Sequence, residues 1–205
     1  ANDVAAIPAT LAAAQKAATT KEDHYFIGEL QLKAALAAQD RAAMSAAVDA
    51  IAASGGATND RLVALYSGLA VEYYNAKEYD RAADLFQRAA TLDPANLEPL
   101  TLLAKSQSHL EKPEVASATF QKVIKQSLAA GIKPDETTYH QAWSLIYRSN
   151  QALALDLARQ WLAAYPSPDS WTTTIAIYRN TAHPDYAATL DLLRLMRANG
   201  SLTRP

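Results

Sequence analysis

Four histidines are the residues of this chain best suited to metal binding or proton transfer: His24, His109, His140 and His183. No two of them are three or four residues apart, the spacing that places two side chains on one helical face around a metal ion. The chain has no cysteine, so thiolate metal ligands, thiol catalysis and disulfides are excluded. The sequence therefore predicts no metal site, and each histidine is expected on an ordinary surface or groove.

The carboxylates are dispersed in the same way. Asp93 and Glu98, for example, flank a predicted turn, where acidic residues commonly cap helices or face water. Acid–base catalysis by paired carboxylates needs a shared cleft and displaced pKa values, and the sequence favours no pair. Gly55-Gly56 lacks the following Lys-Ser/Thr of a phosphate-binding loop, and no Gly-x-Ser-x-Gly nucleophile motif occurs. We predict no catalytic residue and no cofactor, and hence not an enzyme.

Composition narrows the class of protein and of partner. The 205 residues carry a formal net charge of −2, from 19 basic and 21 acidic residues that are well interspersed. Because no basic stripe stands out, we expect no nucleic-acid partner. Half of the residues are hydrophobic but only 8% are aromatic, a balance that favours closely packed, alanine-rich helices. The apolar stretches are short and interrupted, so we expect no membrane span.

A pattern of large and small residues in the stretch 62–94 predicts a pair of packed helices. Two antiparallel helices approach closely only where small side chains face large ones. The pattern consists of Tyr66, Leu69, Ala70, Tyr73, Ala82, Phe86, Ala89 and Pro94. With these residues at these spacings, the stretch resembles a complete tetratricopeptide repeat. The resemblance implies a helical scaffold for binding and does not say what is bound.

The pattern returns at an offset of 34 residues, which is the period of tetratricopeptide repeats. The matched positions are Leu100, Leu103, Ala104, Ala116, Phe120 and Val123. The second helix of this unit is lengthened, and Gly131 and Pro134 are expected to end it. A later unit opens near Ser167, with Asp169 or Ser170 as the expected helix cap. We predict clear repeats over about 62–95, 96–134, 136–166 and 168–199.

The part before residue 60 is more degenerate. An alanine-rich helix is predicted from Pro8 to about Ala18, and two amphipathic helices follow over Glu22–Ala37 and Arg41–Ala53. Gly28 is the expected small contact in this pair. No β-strand alternation of usable length occurs anywhere in the chain.

The predicted fold is therefore all-α: a right-handed α-solenoid of antiparallel helix pairs, like a tetratricopeptide superhelix, with about nine helices. It forms one domain over residues 1–205, with degenerate helices in 1–60. Aromatic residues at the packing positions of the repeats are expected in the core rather than in a ligand cage: Tyr66, Tyr73, Phe86, Phe120, Tyr147, Trp171 and Tyr178.

The resemblance also implies a binding face. In tetratricopeptide solenoids, the first helix of each repeat lines the concave surface, where partners usually bind as peptides or helices. Carried over by register, the partner-binding residues are Ser67, Val71, Tyr74, Asn75, Thr101, Lys105, Ser108, His109, Gln141, Arg148, Thr172 and Arg179, with Ala64, Glu98 and Thr138 at further groove positions. Family members that grip a C-terminal carboxylate use Lys, Arg and Asn here. Ser67 and Val71 are neither basic nor amide-bearing, so we expect no such clamp.

Two longer segments, Lys21–Ala43 and Tyr165–Leu202, resemble tetratricopeptide proteins of alphaproteobacteria, many of which carry export signals. The first residues lack the basic stretch, apolar core and cleavage site of an intact signal peptide, and a mature protein would look the same. The resemblance implies a periplasmic or exported location. The cytoplasm is the alternative, because the absence of cysteine is compatible with both.

Together these features predict a non-catalytic scaffold or adaptor whose concave face holds a peptide or helix of a partner protein. Two alternatives stay open. One is a self-associating structural module, with a homodimer contact supplied by the N-terminal helix and the apolar stretch Leu192–Met196. The other is an accessory domain of a larger enzyme or envelope complex.

Overall fold

Eleven α-helices form the secondary structure of residues 7–201, the part of the chain that this computed structural model describes, with side chains from residue 11 onward. The helices are α1 (Ile7–Ala17), α2 (Lys21–Ala38), α3 (Arg41–Ser54), α4 (Asn59–Asn75), α5 (Tyr79–Leu92), α6 (Leu97–Ser108), α7 (Pro113–Ala129), α8 (Glu136–Ser144), α9 (Gln151–Ala164), α10 (Pro168–Ala182) and α11 (Tyr186–Ala198). No strand occurs among these residues. Residues 1–6, on which the prediction about a leader depends, and Leu202 lie outside the described part.

The all-helical prediction is confirmed, whereas the expected number of about nine helices was too low. Each of the three N-terminal segments and each half of the four predicted pairs forms a helix of its own. The physical reason is that short turns separate the segments, and side chains cap several of the helices that follow these turns. Thr20 and Asp23 form a capping box at the start of α2, and the Asp40 side chain accepts a hydrogen bond from the Ala43 amide at the start of α3.

The cap of α10 differs from the predicted residue. Ser167 occupies the N-cap position, and its hydroxyl accepts a hydrogen bond from the Ser170 amide at 3.2 Å. Ser170 completes a capping box by accepting a bond from the Ser167 amide at 2.9 Å. The Ser-Pro sequence explains the shift, because Pro168 suits the first helical position and leaves the cap to the preceding serine.

The chain forms two compact units, Ala1–Leu103 and Ala104–Pro205, and the division falls within α6. In the first unit, α4 and α5 pack together through the predicted large–small pattern. Ala70, Ala82 and Phe86 have no exposed surface, and Tyr66 and Tyr73 are buried against them. Only residues 76–78 separate the two helices, so the chain reverses sharply and places the two apolar faces together.

Gly28 makes the predicted small contact between α2 and α3. A Cβ atom at this position would lie 2.6 Å from Ile51 Cγ1 and 3.2 Å from the Ile51 backbone nitrogen. Ile51 itself has no exposed surface. The two helices can therefore approach this closely only because residue 28 has no side chain.

In the second unit, the larger described cluster of buried residues contains Phe120, Tyr139 and Trp161 with the small residues Ala104, Ala142 and Ala154, and a smaller one contains Leu155, Ala158 and Ile177. Helix α7 ends at Ala129, and Gly131 follows with a φ of 72°, as predicted. Thr138 was expected in the groove but is buried. Helix α8 has only 9 residues, so the register that was carried over from the longer α4 does not hold along it.

Three of the expected core aromatics are only half-buried: Tyr147, Trp171 and Tyr178. Tyr147 follows the end of α8, and its hydroxyl accepts a hydrogen bond from Asn180 Nδ2 at 2.8 Å. Its polar end therefore points toward a partner near the surface, as a partly buried tyrosine requires. Phe120, by contrast, is fully buried as expected.

Candidate interaction groove

A groove of about 460 Å³ lies between α4 and α6 in the first unit, and we call it the α4/α6 groove. Helix α4 supplies one wall, with Asp60, Val63, Ala64, Ser67, Gly68 and Val71. The turn before α6 and its first half supply the other, with Asp93, Asn96, Glu98, Pro99 and Leu102. The volume falls within the roughly 300–1,000 Å³ that is usual for binding pockets.

The periodicity of α4 explains why these residues face outward. Tyr66, Leu69 and Tyr73 are buried against the rest of the unit. Because a helix turns once in about 3.6 residues, Ser67 and Val71 are on a neighbouring side of α4, one turn apart. Val71 keeps 40% of its surface exposed. The packing of one side of α4 thus fixes the position of the groove wall on the other.

Two small residues, Ser67 and Gly68, lie in the middle of the α4 wall, so few side-chain atoms project from it there. Gly68 is exposed, and a Cβ atom there would meet nothing within 4 Å, so packing does not require a glycine. Glycine inside a helix costs about 0.5–1 kcal/mol relative to alanine. Next to it, Ser67 Oγ is buried and has no hydrogen-bond partner among the described residues. A buried polar group without a partner costs about 1–3 kcal/mol.

Three carboxylates surround the groove, and we call Asp60, Asp93 and Glu98 the acidic rim. Asp93 Oδ1 accepts a hydrogen bond from the Ala95 amide at 3.2 Å. Within the described residues, none of the three forms an ion pair, and no Lys, Arg or His lines this groove. Asp60 and Glu98 are in the first turns of α4 and α6, where negative charge also favours the helix dipole.

Of the predicted binding residues, Ser67 and Val71 line the α4/α6 groove, together with Ala64 and Glu98. Asn75 is exposed at the end of α4. Thr101 is half-buried, and its hydroxyl donates to the Leu97 carbonyl at 2.8 Å.

Tyr74 is half-buried near the end of α4. Burial raises the pKa of Tyr74, whose ring meets that of Tyr79 edge-on with 5.3 Å between centroids. A tyrosine hydroxyl is protonated at neutral pH in any case, and the raised pKa of Tyr74 extends its protonated range to higher pH.

The remaining predicted residues belong to the second unit. Lys105, Ser108 and Gln141 are half-buried, whereas His109, Arg148, Thr172 and Arg179 are exposed. Two hydroxyls are used within the chain: Ser108 donates to the Lys105 carbonyl at 2.7 Å, and Thr172 donates to the Pro168 carbonyl at 2.8 Å. These seven residues do not line the α4/α6 groove.

Sequence reasoning missed several lining residues, because only first-helix positions had been carried over by register. Asp93 and Asn96 come from the turn before α6, and Gly68 lies between two predicted positions. A usable signal was present. Gly68 is one of only six glycines in the chain and lies inside a strongly helical pattern, where glycine needs a separate reason.

A second groove in the first unit, of about 470 Å³, lies between α2 and α4. Phe26, Leu30 and Leu36 are exposed along it, at 63%, 43% and 56%. The Arg61 guanidinium donates two hydrogen bonds to Glu29, at 2.9 and 2.7 Å. This bidentate contact holds the pKa of the Glu29 carboxyl below its usual range. Glu29 and Arg61 satisfy each other, and Lys33 also lines this groove beside its exposed apolar residues.

A third cleft, between α3 and α5, has about the same size. Ion pairs join several of its lining residues. Arg88 pairs with Asp49 at 3.1 Å and with Asp84 at 2.9 Å. The guanidinium groups of Arg88 and Arg81 also lie over the rings of Tyr66 and Tyr73, at 5.7 and 5.3 Å. These contacts tie α3 to α5 and pair Asp49 and Asp84, whereas Asp80, which also lines the cleft, is in no ion pair among the described residues.

Residues 63–96 match the family model of the tetratricopeptide repeat. This segment is similar to a tetratricopeptide repeat. The matched residues comprise most of α4, all of α5 and the turn that follows, and they include Ser67, Gly68, Val71 and Asp93 of the groove. The first wall of the α4/α6 groove is therefore built on the first helix of the repeat.

Two solved structures share the fold. The crystal structure of YrrB, described as a TPR protein with an unusual peptide-binding site, has a TM-score of 0.54 at 16% identity, covering 86% of this chain and 84% of that chain. BtubC (BKLC) from P. vanneervenii has a TM-score of 0.52 at 17% identity, covering 98% of this chain and 92% of that chain. No curated protein matches the chain. At these identities the likeness shows the fold alone, and it supports the predicted α-solenoid class.

The described residues contain no group of three or more His, Asp or Glu side chains that could hold a metal ion. Over the same residues, no helix is both long enough and apolar enough to cross a lipid bilayer.

Proposed function

We propose that this protein is a non-catalytic scaffold that holds a peptide or helix of a partner protein against the first helices of its repeats. The observation that carries the proposal is the α4/α6 groove, which is open, lined by Ser67 and Val71, and built on a tetratricopeptide repeat. Proteins of this repeat type are generally scaffolds without catalysis.

The mechanism is pre-organisation. The groove wall is the outer side of a helix whose inner side is fixed by the buried residues Tyr66, Ala70 and Tyr73. A partner segment that enters the groove therefore orders few protein side chains, and less of the contact energy is spent on conformational entropy.

In the first unit the proposal also includes Tyr74, Asn75 and Thr101. The second unit has predicted positions of its own: Lys105, Ser108, His109, Gln141, Arg148, Thr172 and Arg179. An adaptor or assembly factor in the periplasm or another exported location is the version of this role that the resemblance to alphaproteobacterial proteins favours. Fractionation of the native host would test the location separately from binding.

The direct test is site-specific photo-cross-linking in the native host. A photoreactive amino acid replaces Val71 in the groove, and a second variant carries it at Gln87, which is exposed on α5. We expect a partner adduct at position 71 and not at position 87. Adducts of the same partner at both positions, or at neither, would contradict binding through the groove.

One observation favours self-association as a second function. Helix α11 has no buried residue, and Tyr186, Leu193 and Leu195 are exposed at 84%, 40% and 43%. Such an apolar face suits a contact between copies of the chain. Light scattering on the purified protein tests this, with Leu193→Asp as the matched variant. A monomer at high concentration, unchanged by the variant, would rule the second function out.

A further inference from the structure

The α4/α6 groove differs in its charge from two other clefts of the first unit, the α3/α5 cleft and the α2/α4 groove. In the α3/α5 cleft, Asp49 and Asp84 are paired with Arg88 and Asp80 is outside these pairs, and Glu29 in the α2/α4 groove is paired with Arg61. The acidic rim of the α4/α6 groove has no cationic side chain near it among the described residues that line the groove. The negative charge of this groove is therefore left for an external cation.

The floor between these carboxylates is apolar or small. By this floor we mean the apolar residues that both walls contribute to the groove: Val63, Ala64, Val71, Pro99 and Leu102. An inorganic cation gains nothing from such a floor, whereas an aliphatic side chain is desolvated by it. The carboxylates of the groove favour a positive charge, and its apolar residues favour an aliphatic side chain. A peptide that carries lysine or arginine next to aliphatic residues provides both.

Gly68 and Ser67 point independently to a close contact at the same place. The absence of a side chain at residue 68 has no packing reason within the described structure, because the position of its Cβ is open. Glycine is the residue that lets another backbone approach closely. Beside it, Ser67 Oγ has no hydrogen-bond partner among the described residues. An amide that passes over Gly68 would supply that partner once the serine side chain rotates.

We propose that the α4/α6 groove recognises a basic peptide segment, in which Lys or Arg faces the acidic rim, an adjacent aliphatic residue fills the floor, and the peptide backbone crosses α4 at Gly68. This inference rests on the proposed scaffold function and names the chemistry of its partner. Rim charges steer association and select partners, and their effect is weakened by salt because the Debye length is about 10 Å at 0.1 M.

The test is selection from a phage-displayed library of random dodecapeptides on the full-length protein, followed by fluorescence anisotropy with the enriched peptides. We expect the enriched sequences to carry Lys or Arg beside Leu, Ile or Val. Glu98→Gln should weaken their binding about threefold and Asp60→Asn with Glu98→Gln about tenfold. Raising the salt from about 50 to about 300 mM should weaken wild-type binding by more than that of the double variant.

The matched control is Asp80→Asn, which removes the same charge from exposed residue 80 on α5, outside the α4/α6 groove. It should leave the affinity within about twofold of wild type. Circular dichroism of each variant checks that the helices are intact. Enrichment of acidic or neutral peptides, or equal losses with Asp80→Asn and Glu98→Gln, would overturn the basic-peptide inference but leave the scaffold function standing. If no peptide is enriched at all, the proposed function fails as well.

Discussion

Two glycines in helices of the first unit, Gly28 and Gly68, differ in the space that a Cβ atom would have. Gly28 lies against Ile51 with no room for a Cβ atom, whereas Gly68 faces open space. Both residues are within helices and have the same intrinsic cost there. The first is explained by packing inside the chain. Gly68 has no such explanation within the described structure, and it lies in the wall of the α4/α6 groove.

This contrast gives a matched pair of substitutions. Gly28→Ala should destabilise the protein by about 1–3 kcal/mol, because the new methyl group overlaps Ile51 and forces α2 and α3 apart. Gly68→Ala should stabilise it by about 0.5–1 kcal/mol, because alanine is the better helix former and meets nothing. Urea unfolding at equilibrium measures both. A stabilising Gly28→Ala would show that the close approach of α2 and α3 is wrong, and a destabilising Gly68→Ala would show that residue 68 does not face open space.

Residue types predicted the buried positions better than the exposed ones. Tyr66, Ala82 and Phe86 were assigned correctly, because close helix packing demands large and small side chains at set spacings. Exposed positions carry no such demand. Thr138 was placed in the groove although it is buried, because the register of α4 does not hold along the shorter α8, and Asp93 of the turn before α6 was not foreseen as part of a groove. Groove walls that come from two helices and a turn depend on tertiary packing, which a local pattern does not contain.

At the scale of helices, two side-chain contacts in the first unit each join helices that are two apart in the chain. The Arg61–Glu29 contact joins α4 to α2, and Arg88 joins α5 to α3. Both link residues more than 30 positions apart in the sequence, as expected when stability comes from neighbouring repeats rather than from single helices.

The Arg61–Glu29 contact makes stability depend on pH in a defined direction. Arg61 lowers the pKa of Glu29 in the folded state, below the usual value of about 4.3 for glutamate. The contribution is therefore present above that usual pKa and is lost as the pH falls through the lower folded value. A double-mutant cycle with Glu29→Gln and Arg61→Gln should give a coupling of about 0.5–1 kcal/mol at neutral pH.

The control for this cycle is the Asp191–Arg194 pair on α11, whose side chains are 72% and 69% exposed. Its coupling should be smaller, because solvent and salt screen exposed charges. A coupling between Glu29 and Arg61 that is equally large at pH 7 and at pH 2 would mean that the ion pair is not its source.

At the scale of the whole molecule, the chain is an all-helical repeat protein with two compact units that are divided within a continuous helix, α6. Repeat arrays of this size commonly unfold together because each repeat is stabilised by its neighbours. If residues 1–205 form one domain, as predicted, both units should therefore unfold in a single transition.

Two fully buried phenylalanines test it, Phe86 in the first unit and Phe120 in the second. Phe86→Ala and Phe120→Ala should each cost about 3–5 kcal/mol, because each empties a large core site. Each variant should lower the midpoint of a single transition in urea, followed by far-ultraviolet circular dichroism and tryptophan fluorescence. Two separate transitions, each sensitive to only one substitution, would show independent domains instead.

The central claim is that the surface that binds the partner and the core that folds the repeat are on different sides of α4, so that they can be changed independently. The most direct measurement is the free energy of unfolding of Gly68→Leu together with its affinity for a peptide selected on the wild-type protein. We predict a protein at least as stable as wild type, because leucine favours the helix and Gly68 faces open space, with peptide binding reduced at least tenfold because the side chain fills the groove. A stable variant that binds the peptide with unchanged affinity would contradict the claim.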